Sequence, residues 1–217
     1  MKSTIARKVL MALSGLFLLL FLFQHFIINS LSLGDGTYFN AASHFMGNNG
    51  IVQFIVQPIL IVAVLFHLIM GVYLDMQNRS ARNVKYQMSD AGKNSSWMSR
   101  NMVITGIMVL LFLGLHFYDF WIPEMNYKYI EGTSPNASRY YGELVEKFKD
   151  PARTGIYIVS FIFLSLHLMH GFQSAFQSVG FRHNKYTPMI KKLGDAYAIL
   201  IPLGFIIIAV AHYVSHL

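Results

Sequence analysis

Residues 102–122 read MVITGIMVLLFLGLHFYDFWI. The stretch holds one histidine, one aspartate and no Lys, Arg or Glu. As an α-helix its 21 residues would rise roughly 31 Å, the thickness of a bilayer's hydrocarbon core. Lipid offers the backbone no hydrogen-bond partner, so such a run must close its own bonds as a helix. Four further runs of this kind stand at about 7–31, 51–76, 155–176 and 193–213. The expected fold is therefore all-α: an integral membrane bundle of five transmembrane helices, one domain spanning 1–217.

Composition agrees. Of the 217 residues 54% are hydrophobic and only 12% are charged, about half the charge of a soluble domain. The 18 Phe and 12 Tyr suit helix ends at the lipid–water interface. With no cysteine, disulfides, iron–sulfur ligation and covalent haem attachment are excluded. A net charge of +7 does not point to nucleic acid, because the basic residues sit in loops where topology explains them. The first apolar run is longer than a signal-peptide core and no small-residue cleavage site follows it, so a retained first helix is expected.

The loops give an orientation. Lys2, Arg7 and Lys8 stand at the N-terminus, at or before the start of the first run. Arg79, Arg82, Lys85, Lys93 and Arg100 lie between the second and third, and Arg182, Lys185, Lys191 and Lys192 between the fourth and fifth. Together these are twelve of the seventeen Lys and Arg. The stretch 32–50 has none, and 123–153 mixes five basic with five acidic residues. By the positive-inside rule the N-terminus is cytoplasmic and the C-terminus outside. A short helix is expected around 140–148, and the segment 35–49 is expected along the outer interface.

Six of the nine histidines, His25, His67, His116, His167, His170 and His212, fall inside apolar runs. A buried ionisable group in lipid is expensive, which makes function the default reading. Depth sorts them. His25 lies 17 residues beyond Lys8, roughly 25 Å up an outward helix. His116 lies 14 residues beyond Met102, roughly 21 Å up another. Helices two and four run inward: His67 is 16 residues from Ile51 and His167 is 12 from Gly155, roughly 24 Å and 18 Å from the outer edge. One pair is high and one is low. That suits two stacked haems, each held by two imidazoles with no open iron position, which would carry electrons and not activate oxygen. Each ligand should donate its second ring N–H to a carbonyl or hydroxyl. Gly15, Gly71, Gly106, Gly114 and Gly171 would let helices or flat rings approach. His170, on nearly the same face as His167, is an alternative ligand or a propionate contact. His212 has the depth of the outer layer and stays open as a partner there.

At these residues the chain resembles a known family. FQHFIIN around His25, AASHFM around His44, LFHLIMGVYL around His67 and the single histidine near the outer end of helix three are similar to the dihaem cytochrome b anchor of succinate:menaquinone oxidoreductases, the single-chain type with five helices. The resemblance implies that His25 and His116 hold a distal haem b and His67 and His167 a proximal one, and it argues against His212. It implies a flavoprotein subunit oxidising succinate and an iron–sulfur subunit relaying electrons, both on the cytoplasmic side of a bacterial inner membrane. Menaquinone would react near the distal haem, or the same parts would run fumarate reduction. This chain alone would not oxidise succinate. A homo-oligomer of the whole complex stays open.

For the quinone, His44, Asn40 and Ser43 just beyond helix one and Asp119, one turn above His116, are candidates for binding and proton transfer. The bland reading, a solvated interface segment and a helix-end aspartate, has equal weight. Arg7, Lys8, Arg100 and Arg182 are candidates for haem propionates, beside their simpler role in topology. Two competitors remain: the dihaem anchor of a hydrogenase or formate dehydrogenase, and a colourless proton channel or transporter using buried histidines as a relay.

Overall fold

The computed structural model describes residues 4–80 and 97–215. Lys2, Arg82, Lys85 and Lys93, on which the orientation partly rests, lie outside the described residues. Helix α1 is Thr4–Ser30, followed by a 3-10 turn, Leu31–Leu33, and α2, Thr37–Asn48. A π-helical turn, Val52–Val56, leads into α3, Gln57–Ser80. Helix α4 is Met102–His116. It runs on through a π turn, Phe117–Trp121, the segment Ile122–Met125 and a second π turn, Asn126–Ile130. Then come α5, Arg139–Phe148, α6, Pro151–Ser178, and α7, Thr187–Val214.

Five of the continuous helical stretches are long and apolar enough to cross a bilayer: Ile5–Leu33, Val52–Ser80, Met102–Ile130, Pro151–Ser178 and Thr187–Val214. The expected number holds, and each span outlasts its apolar run. Helical hydrogen bonding continues into turns bearing Arg79, Arg153 and Lys191, charged residues of the kind that suit a lipid–water interface. The third span gains most, passing Pro123. A proline ring clashes with the carbonyl four residues back, and the π turn just ahead widens the helix there. The short helix expected around 140–148 is α5. The segment 35–49 contains α2, which packs on α1 and α5.

Helices α6 and α7 form the centre and make the most extensive contact in the bundle. Their buried positions follow the three-to-four-residue spacing of one helix face: Tyr157, Phe161, Leu164 and Leu168 on α6, and Ala198, Ile201, Phe205 and Ile208 on α7. Asp150 caps α6, its Oδ1 accepting from the Ala152 N–H at 2.9 Å, with Pro151 at the first helical position where its missing N–H is no loss. Helix α1 packs against α6, α3 and α7, and Tyr197 Oη on α7 donates to the Leu19 carbonyl of α1 at 2.6 Å. Helix α3 has no buried residue and touches α1 far more than α4. It is the peripheral helix, yet His67 on it faces inward.

Candidate functional site

His67 on α3 faces His167 on α6, with ring centroids 6.4 Å apart and planes inclined at 68°. His25 on α1 faces His116 on α4, at 5.7 Å and 87°. Two imidazoles bonded to one metal at about 2 Å each would set their centroids about 6 Å apart. Both pairs stand at that separation. Among the described residues no group of three or more His, Cys, Asp or Glu converges on one point. The histidines come in twos, the number of axial positions on a porphyrin iron.

The pair nearer the amino-terminal end of the bundle is built with near-twofold regularity. Ser14 Oγ donates its single proton to the Met11 carbonyl at 2.8 Å and lies 3.1 Å from His67 Nδ1. Thr105 Oγ1 likewise donates to the Met102 carbonyl at 3.0 Å and lies 3.3 Å from His167 Nδ1. Each hydroxyl has no further proton, so each must accept from the ring, and the ring proton is on Nδ1. Nε2 of both rings then keeps its lone pair free for a metal. Behind each ring sits a glycine. A Cβ on Gly15 would meet His67 Cε1 at 3.4 Å, and one on Gly106 would meet His167 Cε1 at 3.5 Å. Nothing larger than alanine would leave the rings in place. Four helices converge here: α1 and α4 supply the hydroxyls, α3 and α6 the imidazoles.

The pair at the opposite end sits in an aromatic cage. Phe21 stacks on His25 at 5.5 Å and Phe205 tilts over it at 5.8 Å. Phe112 and Phe120 stand 5.7 Å and 5.2 Å from His116. The Asn29 amide nitrogen is 3.3 Å from His25 Nε2. His116 Nδ1 is buried with no hydrogen-bond partner. A buried polar atom left unsatisfied costs about 1–3 kcal/mol, a penalty that a bond from this nitrogen to a bound group would remove. Both pairs therefore fit a bis-imidazole haem: one by its tautomers, the other by its spacing and its orphaned nitrogen.

The other expected residues divide. His170 is half-buried one turn from His167, toward the amino-terminal end. His212 is buried, 2.9 Å from Ser32 Oγ and edge-on to Tyr141 at 5.8 Å, which sets it apart from the His25–His116 pair. His44 Nδ1 is 3.2 Å from the Asn48 amide, and its ring meets Tyr140 at 6.3 Å. Asn40 Oδ1 accepts from the Tyr141 N–H at 2.8 Å, and Ser43 is half-buried on the same helix. Asp119 is 2% exposed, ion-paired to Arg153 and accepting from Tyr157 Oη at 2.9 Å. Arg7 donates to Tyr73 Oη at 2.8 Å and to Gln77 Oε1 at 3.3 Å. Lys8, Arg100 and Arg182 are exposed. Of the five glycines expected at close approaches, Gly71 and Gly171 each face a methionine methyl at 3.5 Å, while Gly114 has no protein atom within 4 Å of an added Cβ. Sequence reasoning missed Ser14, Thr105, Arg153 and Tyr157. The one available signal was a hydroxyl residue followed by glycine within the first half of two apolar runs, Ser14–Gly15 and Thr105–Gly106.

The chain is 25% identical over 158 residues to the succinate dehydrogenase cytochrome b558 subunit of Bacillus subtilis (strain 168), covering 71% of this chain and 69% of that one. It is a relative of a succinate dehydrogenase cytochrome b subunit. No family model and no solved structure matches the chain. The relative supports the resemblance carried by the short motifs around His25, His44 and His67, and it leaves the number of haems and the quinone to be argued from this chain's own residues.

Proposed function

We propose that this chain is the membrane anchor and dihaem cytochrome b subunit of a succinate:menaquinone oxidoreductase, with its N-terminus cytoplasmic. The observation that carries the reading is the meeting of four helix-borne imidazoles in two pairs, 6.4 Å and 5.7 Å between centroids, at opposite depths of one bundle. The relative's name supports the complex to which it would belong. A flavoprotein and an iron–sulfur subunit would dock on the cytoplasmic face.

His67 and His167 would hold the inner haem through Nε2, and His25 and His116 would hold the outer one. When bound, the haems supply one-electron transfer across the bilayer. Ser14 and Thr105 fix the inner tautomers and ring orientations. The phenylalanines around His25 and His116 exclude water from the outer site. His44 serves menaquinone at the outer end. The Asn48 amide nitrogen stands 3.2 Å from its Nδ1 and donates to the His44 carbonyl at 3.0 Å, which fixes the ring on this face of α2. Ser43 and the free amide protons of Asn40 complete a polar face on α2.

A haemochrome assay on the purified complex should find two b haems per copy of this chain. A colourless protein would end the redox reading in favour of a proton relay, and one haem per chain would end the two-pair reading.

The hydroxyl buttresses give a finer expectation. In Ser14→Ala and Thr105→Val a buried imidazole N–H loses its acceptor, and a ligand without that partner is a poorer electron donor to iron. Both variants should keep two haems. Redox titration should show the inner potential raised and the outer one unmoved; movement of both would mean that the hydroxyls act on the whole bundle.

A further inference from the structure

Asp119 is the most deeply buried acid in the described bundle, and the proposed electron path does not use it. It lies in the π turn Phe117–Trp121, which begins directly after His116, and such turns concentrate at functional sites. Its side chain is wholly buried. One oxygen is paired with the Arg153 guanidinium, and the other accepts from Tyr157 Oη at 2.9 Å. Arg153 is in the first turn of α6 and keeps 26% of its side chain exposed. Tyr157 is 2% exposed, and its ring stands 6.4 Å from the His116 ring. Phe112 and Phe148 close on Tyr157 at 5.3 Å and 5.2 Å. A full positive and a full negative charge are thus held one aromatic layer from His116. With both oxygens engaged, Asp119 is poorly arranged to carry protons to a quinone.

We infer that Asp119 and Arg153 form a tuning pair that sets the reduction potential of the haem between His25 and His116, each charge offsetting the other. The inference rests on the proposed haem at that site. Reduction adds one negative charge at the iron, so a nearby cation favours the reduced form and a nearby anion the oxidised form. In an apolar surround these fields are weakly screened. As a neutral pair the two nearly cancel, and the outer potential is insulated from either charge alone. Tyr157, donating to the carboxylate and packed toward His116, fixes the distance over which the balance holds. Asp119, Arg153 and Tyr157 are positioning residues, since none of them meets the iron.

Potentiometric titration of the complex carrying Asp119→Asn, Arg153→Gln or both tests this. Asp119→Asn leaves the cation unopposed and should raise the outer potential. Arg153→Gln leaves the carboxylate unopposed and should lower it. Each shift should be at least tenfold in the oxidised-to-reduced ratio at fixed potential, about 59 mV for one electron. The double variant should return close to the parent value, and the inner potential should stay still in all three. Shifts of the same sign in both single variants, or no shift, would overturn the pair as a tuner. If either single variant assembles without the outer haem, the double variant decides, because it leaves no charge unpaired. Its loss of that haem would show that the pair builds the site and would overturn the inference, whereas its retention at the parent potential would sustain it. A parent complex without two haems would instead sink the functional reading itself.

Discussion

His67→Ala is expected to remove one haem per chain and leave the other in place. On the proposed reading the haem would be held without a covalent bond, since the chain has no cysteine, so its retention would depend on two nitrogen–iron bonds and apolar packing. His67 lies on α3, which has no buried residue and meets the rest of the bundle mainly along α1. Few protein contacts could hold a porphyrin there once the imidazole is gone. His167→Ala should remove the same haem, and the double substitution should remove nothing further, because the two residues act on one iron. His25→Ala and His116→Ala should behave as a second, independent set. Haem content and difference spectra of the four variants check this. Loss of both haems from a variant that still folds would contradict independent sites.

Gly204→Leu is expected to destabilise the bundle. A Cβ built at Gly204 on α7 collides with the end of the Phe26 ring on α1. That ring is not free to swing away, because it packs edge-on against Phe205 at 5.4 Å. Overpacking of this kind typically costs about 1–3 kcal/mol, occasionally more. The damage should also reach the outer haem site, since Phe205 tilts over His25 at 5.8 Å. Thermal unfolding in detergent, followed by circular dichroism, should show a lowered midpoint for Gly204→Leu. Gly114→Ala, with no protein atom within 4 Å of the new methyl, should leave the midpoint unchanged or raise it, as alanine is the better helix former. Equal destabilisation by both would show that the Phe26 contact is not what limits the packing of α1 on α7.

The spans and the grouping of histidines by depth were legible because both follow from counting residues along helices of fixed rise. Depth grouped His25 with His116 and His67 with His167, since the members of each pair lie at similar distances from the same edge on helices of like direction, but it left His212 open as a third candidate in the outer layer. The supporting groups were not legible. Ser14 and Thr105 bond to carbonyls three residues back, as hydroxyls in apolar helices commonly do, and only the relative rotation of helices brings His67 and His167 against them. Asp119 was visible as a buried charge one turn from His116. Its partner Arg153 lies 34 residues on, beyond a loop and a further helix, and read from the sequence it was one of five basic residues in a mixed loop. The third helix was expected to stop near Ile122 because the apolar run ends there, before Pro123 and Glu124, and the π turns at Phe117–Trp121 and Asn126–Ile130 that carry it onward leave no periodic mark in so short a stretch. For His212 depth alone was ambiguous. Ser32, brought to it by the turn after α1, gives it a separate partner.

In the proposed complex two irons would each be bound by two imidazoles whose planes are steeply crossed, at 68° and 87°. Crossed ligand planes leave two iron d orbitals close in energy, and a low-spin ferric ion then gives a strongly anisotropic electron paramagnetic resonance signal. The measurement is the low-temperature spectrum of the oxidised complex. Two such low-spin signals are predicted, one of them lost in His67→Ala and the other in His116→Ala. A spectrum with only high-spin iron, or with no haem iron at all, would contradict the claim.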